Sequence, residues 1–268
     1  MNQSIATWTL PLILFLFLFL LPIDSKADSP EEKGLAIAKE AERRDKGFKD
    51  FTASMLMMLR NKRGKESIRK IRIKTLEVEG DGNKSLIIFD YPKDVKGTAF
   101  LTYSHKVGDD DQWLYLPALK RVKRISSHDK SGSFVGSEFA YEDIASQEVE
   151  KYTYKWLRDE VLDGQECFVV EFYPVDKKNS GYARQVVWID TSEYRSWKVE
   201  YYDRKNALLK TLTITGYQKY LDKYWRPDEM NMANHQNGKS TKLEFSDYKF
   251  AVGLKKRDFS QNALKRAR

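Results

Sequence analysis

The sequence is poor in the residues that most often bind metals or form covalent intermediates. Its 268 residues include one cysteine and three histidines. A single cysteine excludes an intramolecular disulfide, a cysteine zinc site and a CxxC redox pair. We expect Cys167 to be buried and reduced, because it lies in an apolar strand-like run. The alternative is a reactive thiol, although no neighbouring residue in the sequence would lower its pKa.

Catalytic and cofactor motifs are also missing. His105, His128 and His235 are far apart, and the chain has no HExxH, GxSxG, Walker A or GxGxxG sequence. Three aspartates from residue 109 lack the spaced oxygens of a calcium loop, which favours a solvated turn over a cation site. Glu142 and Asp143 are an alternative as acid/base groups, since a fold can bring two carboxylates together. The sequence therefore predicts a protein that is not an enzyme and that needs neither a cofactor nor a metal.

One long hydrophobic run is present, and it lies at the N-terminus. Residues 10–23 are apolar without interruption. This run is shorter than the about 20 residues of a membrane span and fits the hydrophobic region of a signal peptide. Ser25 and Ala27 supply the small residues of a cleavage site, so we predict a signal peptide over residues 1–27 and export to the periplasm. No cysteine is available there for lipid attachment. An uncleaved anchor is the alternative, since no Lys or Arg precedes the run.

Positive charge is concentrated in three segments. The chain has 47 Lys and Arg against 39 Asp and Glu, a net charge of +8. Export makes nucleic acid an improbable partner for this charge. The net charge of three segments together exceeds the net charge of the whole chain, so the remainder is acidic. The three segments are residues 60–74, 120–124 and 255–268. We interpret them as docking surfaces for anionic lipid headgroups or an acidic partner; the alternative is a solubilising face. The candidate docking residues are Arg60, Arg63, Lys65, Arg69, Lys120, Arg121, Lys123 and Arg124.

The remaining chain has the pattern of one domain over residues 28–268. Ser29, Pro30 and two glutamates predict the start of an amphipathic helix that ends near Gly47. From residue 48 to residue 252 the apolar period is two, and turn signals separate the runs, which predicts an antiparallel meander. Residues 133–146 break this alternation and are interpreted as a loop with a short helix that covers one end of the sheet. Residues 258–268 are interpreted as a basic helical or frayed tail.

The apolar phases of several strands are rich in methionine and aromatic residues. Such side chains suit a surface that must fit flexible hydrocarbon. An ordinary core is the alternative, but one helix is little to fill a concave sheet, which favours a ligand cavity. The opposite phase of any strand could also face inward, since a shift of one residue inverts the assignment. The candidate lining residues are Met55, Met57, Leu59, Phe168, Val170, Phe172, Val199 and Tyr201.

Several motifs resemble one protein family. Residues 111–124 read DQWLYLPALKRVKR, residues 136–144 read GSEFAYEDI, and later segments read VWID, WRP and NGKST. In this order and spacing they resemble the LolA-like outer membrane lipoprotein-sorting proteins, relatives of the carriers LolA and LolB and of the sensor RseB. The resemblance covers residues 35–259, nearly all of the predicted mature chain.

The resemblance implies a fold and a function. The expected fold is mainly β (α+β), a single curved antiparallel half-barrel with a helical plug or lid and a hydrophobic cavity for acyl chains. The expected function is a periplasmic carrier of lipid or lipoprotein toward the outer membrane. Its expected partners are an inner-membrane transporter, for example of the RND type, or an outer-membrane acceptor. The alternative is an RseB-like module that senses lipid or lipoprotein and binds a membrane partner, which would need a second domain or a stable interface.

Overall fold

The computed structural model describes residue 1 and residues 28–267, so the predicted signal peptide lies almost wholly outside the described residues. The described chain is mainly β, with three short α-helices. The helices are α1 (Pro30–Asp45), α2 (Tyr141–Ile144) and α3 (Gln261–Arg266). The strands are β1 (Asp50–Arg60), β2 (Glu66–Leu76), β3 (Lys84–Tyr91), β4 (Ala99–Tyr103), β5 (Asp111–Leu116), β6 (Arg121–Ile125), β7 (Tyr152–Leu162), β8 (Gln165–Pro174), β9 (Tyr182–Asp190), β10 (Ser196–Asp203), β11 (Leu208–Thr215), β12 (Gln218–Tyr220), β13 (Tyr224–Arg226), β14 (Glu229–Asn234) and β15 (Ser240–Phe250).

Helix α1 begins where its sequence predicts. The Ser29 hydroxyl accepts a hydrogen bond from the Glu32 backbone N–H at 3.1 Å, and the Glu32 carboxylate accepts one from the Ser29 N–H at 2.8 Å. This reciprocal cap satisfies two donors that a helix start leaves unpaired. Ile37 and Ala38 are buried on the face that packs against the sheet. The predicted amphipathic helix is therefore confirmed.

Thirteen of the strands form one antiparallel sheet with two free edges. Its order is β6-β5-β4-β3-β2-β1-β15-β14-β11-β10-β9-β8-β7. Most neighbours are consecutive in the chain, as the meander prediction requires, and β15 joins the two halves by pairing with β1 and β14. Because β6 and β7 do not pair with each other, the sheet is curved but not closed. The expected open half-barrel is confirmed.

The connection between the two edge strands crosses the concave side of the sheet. β6 and β7 are consecutive in the chain but lie at opposite edges, so residues 126–151, here called the lid segment, must span the opening. The segment contains α2 and short 3-10 turns, and it buries Phe134 and Phe139. The predicted loop with a short helix over residues 133–146 is the middle of this crossing.

Two strands predicted as continuous are broken. The alternation in residues 208–220 and 223–232 predicts two continuous strands, but β11 ends at Thr215 and β14 begins at Glu229. Gly216 has a φ of +69°, and its carbonyl accepts a hydrogen bond from the Asp228 N–H at 3.0 Å. This left-handed turn takes residues 217–227 out of the sheet. They form a separate hairpin of β12 and β13, here called the rim hairpin.

The sheet has apolar clusters on both faces. The largest cluster lies on the concave face, under α1 and the lid segment. On the convex face, α3 covers a second cluster, in which Phe259 and Leu264 are fully buried. The C-terminal tail is therefore helical and packed rather than frayed. A third cluster contains Cys167, whose burial raises the pKa of its thiol to about 11, as expected for a buried and reduced cysteine.

Candidate functional site

A cavity of about 850 Å³ lies on the concave side of the sheet. The lid segment, the C-terminal turns of α1 and the rim hairpin enclose it. Its volume falls within the range of about 300–1,000 Å³ that is typical of small-molecule sites. Seven strands of the sheet contribute an apolar wall: Met55, Ile73, Ile87, Val199, Tyr201, Leu212, Ile214, Met230, Leu243 and Phe245.

Strand alternation produces this apolar wall. In β11, Leu212 and Ile214 are buried and line the cavity, whereas Thr213 between them is exposed. Antiparallel pairing places Met230 of β14 opposite Ile214 and Leu243 of β15 opposite Met230. Residues that pair directly across strands point to the same face. The register therefore joins three short apolar patterns into one surface.

A buried ion pair holds the lid segment against the sheet. The Lys210 ammonium lies 2.6 Å from the Asp143 carboxylate, and each side chain is 4% exposed. Lys210 also donates to the Glu138 carbonyl at 2.9 Å, and the Tyr182 hydroxyl donates to Asp143 at 2.9 Å. Burial, with the nearby Asp143 charge, raises the pKa of Tyr182 well above its usual value. The tyrosine therefore stays a donor, and the lid is fixed to β9 and β11.

Further polar contacts anchor the lid segment to β2, β14 and β15. Its Glu138 N–H donates to the Thr241 hydroxyl at 3.0 Å, and the Glu138 carboxylate accepts from the Asn234 amide at 2.7 Å. The Arg69 guanidinium of β2 donates to the Val135 carbonyl. These contacts fix the lid backbone through polar groups, which leaves the aromatic side chains of the lid free to face the cavity and core.

The rim hairpin and α1 form the mouth of the cavity. Arg226 of the hairpin contacts Asp45 at the end of α1 at 2.5 Å, and Lys223 donates to the Lys46 carbonyl at 2.7 Å. Burial raises the pKa of Asp45, although the Arg226 charge opposes this shift. The Trp225 indole N–H is buried, and no described residue accepts its hydrogen bond. The mouth is therefore polar and charged, whereas the wall behind it is apolar.

A second cavity of about 1,050 Å³ adjoins the first beneath α1, and the two share residues such as Ala41 and Phe48. Three carboxylates meet at its edge, with oxygens within 4.8 Å of one another: Glu42, Glu148 and Glu150. Burial and the charge of Glu42 raise the pKa of Glu148. These groups could bind a cation, but Lys106 already lies 3.8 Å from Glu42 and 3.5 Å from Glu150 and supplies a positive charge there.

All eight candidate lining residues lie on the concave side of the sheet. Met55, Met57, Val170, Phe172, Val199 and Tyr201 are buried in its apolar cluster, and Leu59 and Phe168 pack against that cluster. Met55, Val199 and Tyr201 border the first cavity, and Phe172 borders the second. The other four contribute to the packed part of the cluster. Their role in ligand binding stays a prediction.

The candidate docking residues divide between two surfaces. The β1–β2 turn carries Arg60, Arg63 and Lys65, and the β5–β6 hairpin carries Lys120, Arg121, Lys123 and Arg124. The strand registers place both turns at the same end of the sheet. Arg69 is different, because it shares the inward phase of Ile71 and lies 5.8 Å from the Phe89 ring. Arg69 fixes the lid, whereas a docking role for the other seven stays a prediction.

Among the acidic residues considered as catalytic or cation-binding groups, Asp110, Asp111 and Glu142 have structural partners. Asp110 pairs with Lys151 and accepts from the His105 N–H, and Asp111 pairs with Arg124. Glu142 accepts hydrogen bonds from the Ser180 hydroxyl and the Gly181 N–H, both at 2.8 Å. These contacts give each group a role in holding loops together.

Sequence reasoning missed the rim hairpin and the lid residues of the site. Tyr217 and Trp225 lie in runs whose alternation predicts continuous strands, although Gly216 marks where the first of these strands ends. Phe139 and Ile144 line the first cavity, but they lie in a segment without periodicity. The available signal is the aromatic content of residues 133–146. A segment rich in aromatic side chains has to bury them against another surface, which here is the concave face of the sheet.

Comparisons with known proteins agree with this architecture. A family model described as "Uncharacterized protein" matches residues 81–266. An outer membrane lipoprotein-sorting protein domain from Vibrio parahaemolyticus is 60% identical, with a TM-score of 0.86, over 88% of this chain and 99% of that chain. The chain belongs to the LolA-like family of outer membrane lipoprotein-sorting proteins. The LolA-like chain is also 31% identical to a DUF1329 family protein from Desulfovibrio piger ATCC 29098, with a TM-score of 0.83, over 88% of this chain and 100% of that one.

A more distant structure supports the LolA-like fold alone. A LolA superfamily protein from Nitrosomonas europaea has a TM-score of 0.69 at 21% identity, over 88% of this chain and 100% of that chain. Among curated proteins, none matches the sequence. Within the described part of the chain, no helix has the length and apolar character that crossing a membrane requires. These LolA-like neighbours are named for lipoprotein sorting or for their family, not for a catalytic activity.

Proposed function

We propose that this LolA-like protein binds the acyl chains of a lipid or lipoprotein in the concave cavity and carries them through the periplasm toward the outer membrane. The observation that supports this most is the cavity of about 850 Å³ behind a charged mouth. Its sheet wall is apolar, and burying hydrocarbon there contributes about 0.8 kcal/mol per methylene. The polar mouth suits the headgroup end of an amphiphile.

The proposed cycle requires partners at both membranes. An inner-membrane transporter, for example of the RND type, would load the carrier, and an outer-membrane acceptor would take its cargo. The basic turns at one end of the sheet are the proposed docking surfaces for them. A lid that crosses from one sheet edge to the other could be displaced without breaking the ladder of the sheet. Such a motion would admit the chain from the concave side.

A cavity-filling substitution tests acyl binding. Ile214→Trp places an indole in the cavity, and Thr213→Trp places the same side chain on the exposed face of the same strand. We expect Ile214→Trp to weaken binding of a fluorescent fatty acid at least about tenfold, since it removes the volume that the chain would occupy. Thr213→Trp should bind like the unmodified protein.

Lipid extraction and native mass spectrometry of protein purified from the periplasm complete the test. Co-purified lipid in the unmodified protein, reduced in the Ile214→Trp variant, is the expected result. Thermal unfolding of both variants shows whether each is folded. Absence of co-purified lipid, together with equal fatty-acid binding by both variants, would contradict the proposal.

A further inference from the structure

A groove lies on the convex face of the sheet, on the opposite side from the cavity of about 850 Å³. It has a volume of about 520 Å³ and lies between β2, β3 and the C-terminal helical segment. Arg72 and Lys74 of β2 point into it, whereas Ile73 between them lines the concave cavity. The same alternation in β3 places Leu86 and Ile88 outward. The groove and the cavity are therefore separated by the thickness of one sheet.

The groove combines two basic segments that are far apart in the sequence. Residues 60–74 supply Arg72 and Lys74, and the C-terminal segment supplies Arg257 and Arg266. The acidic residue on the groove wall is Asp258, whose carboxylate already accepts from the Lys255 N–H at 2.8 Å. The groove therefore carries an excess of positive charge.

Three of these cations have no ion-pair partner among the described residues. Arg72 is held by Asp90, with two hydrogen bonds of 2.7 Å. Lys74, Arg257 and Arg266 form no ion pair in the described part of the chain. Burial lowers the pKa of Lys84 at the edge of this region, and the neighbouring Lys256 charge adds to this shift. Like charges gathered in this way repel one another, and an anion relieves the repulsion.

The floor of the groove is closed by buried apolar side chains. Leu86 is 2% exposed and Ile88 is 3% exposed, and both belong to the apolar cluster under α3. We propose that this groove binds the phosphate of an anionic phospholipid headgroup at a membrane surface. The arginines can pair with phosphate oxygens, and the buried apolar floor keeps these cations at the mouth of the groove. The size of the groove suits a single headgroup better than a folded protein surface. Since the groove opens away from the cavity, headgroup contact does not compete with an acyl chain on the concave side.

Vesicle binding tests this site. A variant with Lys74→Gln, Arg257→Gln and Arg266→Gln loses three groove charges. A control with Lys177→Gln, Lys178→Gln and Lys205→Gln loses three charges at exposed lysines in the other half of the sheet. We expect the groove variant to bind vesicles of phosphatidylglycerol and phosphatidylcholine more than about tenfold more weakly than the unmodified protein. The control should lose less than about threefold, and vesicles of phosphatidylcholine alone should bind none of the three proteins.

Three other results would overturn the inference. The first is unchanged vesicle binding by the groove variant. The second is an equal loss in the control, which would indicate attraction by total charge. The third is binding of polyglutamate but not of the anionic vesicles, which would identify an acidic protein as the partner. Fatty-acid binding measured on the same variants should stay unchanged, so failure of the groove is distinguishable from failure of the acyl cavity.

Discussion

At the scale of single residues, polar side chains fix the loops that border the cavities. His105 is an example, because both of its ring nitrogens face carboxylates. Nδ1 lies 2.8 Å from Asp81, and Nε2 lies 3.4 Å from Asp111. Two such contacts favour the imidazolium, which donates from both nitrogens. Burial lowers the pKa of His105, but the hydrogen bonds to the two aspartates outweigh it and raise the pKa. The same contact lowers the pKa of Asp81 to about 2.

This contact predicts a dependence of stability on pH. Since the folded pKa of His105 is raised, its contribution is fully present below the unfolded pKa of about 6.5 and is lost as the pH rises through the folded value. His105→Asn should therefore lower the melting temperature more at pH about 5.5 than at pH about 8.5. His128→Asn, at an exposed histidine without an ion pair among the described residues, is the control. An equal effect of His105→Asn at both pH values would contradict the prediction.

At the scale of elements, the close packing of α1 on β7 depends on a glycine. A Cβ built on Gly34 would lie 2.8 Å from the Trp156 backbone nitrogen and 3.0 Å from the Lys155 carbonyl carbon. Both neighbours are backbone atoms of a strand, so they cannot rotate away. Gly34 therefore sets the distance between the helix and the edge strand, and with it the position of the cavity mouth.

Gly34→Ala distinguishes this steric role from helix propensity. Without a clash, alanine would stabilise the helix by about 1 kcal/mol relative to glycine. We expect instead a loss of about 1–3 kcal/mol in the free energy of unfolding, because the added methyl forces the helix away from β7. Urea denaturation measures the change. Ala36→Gly at an exposed position of the same helix should cost about 1 kcal/mol and serves as the control. A rise in stability for Gly34→Ala would show that the helix can shift without cost.

Local patterns in the sequence predict most elements but not where they lie. The cap at Ser29 and the alternation around Leu212 and Ile214 depend on neighbouring residues, and both were correctly predicted. The break at Gly216 was missed, because the apolar alternation continues into the rim hairpin. The pairing changes there, since β11 pairs with β14 but β12 pairs with β13. The packing of Phe259 on the convex face was missed as well, since a short basic segment shows no apolar period. Local patterns therefore predict the sheet wall of the cavity, but they do not predict the lid segment or the rim hairpin.

At the scale of the whole molecule, topology determines which predicted residues meet. The candidate lining residues come from β1, β8 and β10, and the curvature of one sheet brings them to the same side. Arg69 and Arg63 are close in sequence, yet Arg69 faces inward to the lid and Arg63 lies on the exposed turn. Alternation in β2 gives Arg69 the phase of Ile71, but no local pattern predicts that the lid lies over that phase. The distinction depends on the lid crossing from β6 to β7, which is a property of strand order.

That crossing also predicts how the lid is held. Replacing Lys210 with methionine leaves Asp143 buried without its cation, and removing one member of a buried pair costs about 3–5 kcal/mol. We expect Lys210→Met to lower the free energy of unfolding by that amount in urea. Lys210→Met with Asp143→Asn should recover part of the loss, because the buried charge is gone and an acceptor for Tyr182 remains. Lys177→Met, at an exposed lysine, should change stability by less than about 0.5 kcal/mol.

Hydrogen exchange locates the effect within the molecule. If the ion pair fixes the lid, amides of residues 133–146 should exchange faster in Lys210→Met, while those of β1 and β15 keep their protection. The lid is joined to the sheet by side-chain contacts rather than by the strand ladder, so it can open while the ladder persists. The same variant should take up a fluorescent fatty acid faster, because the proposed entry requires the lid to move. Uniformly faster exchange in all strands would show that the ion pair stabilises the whole sheet, and it would contradict a lid that opens by itself.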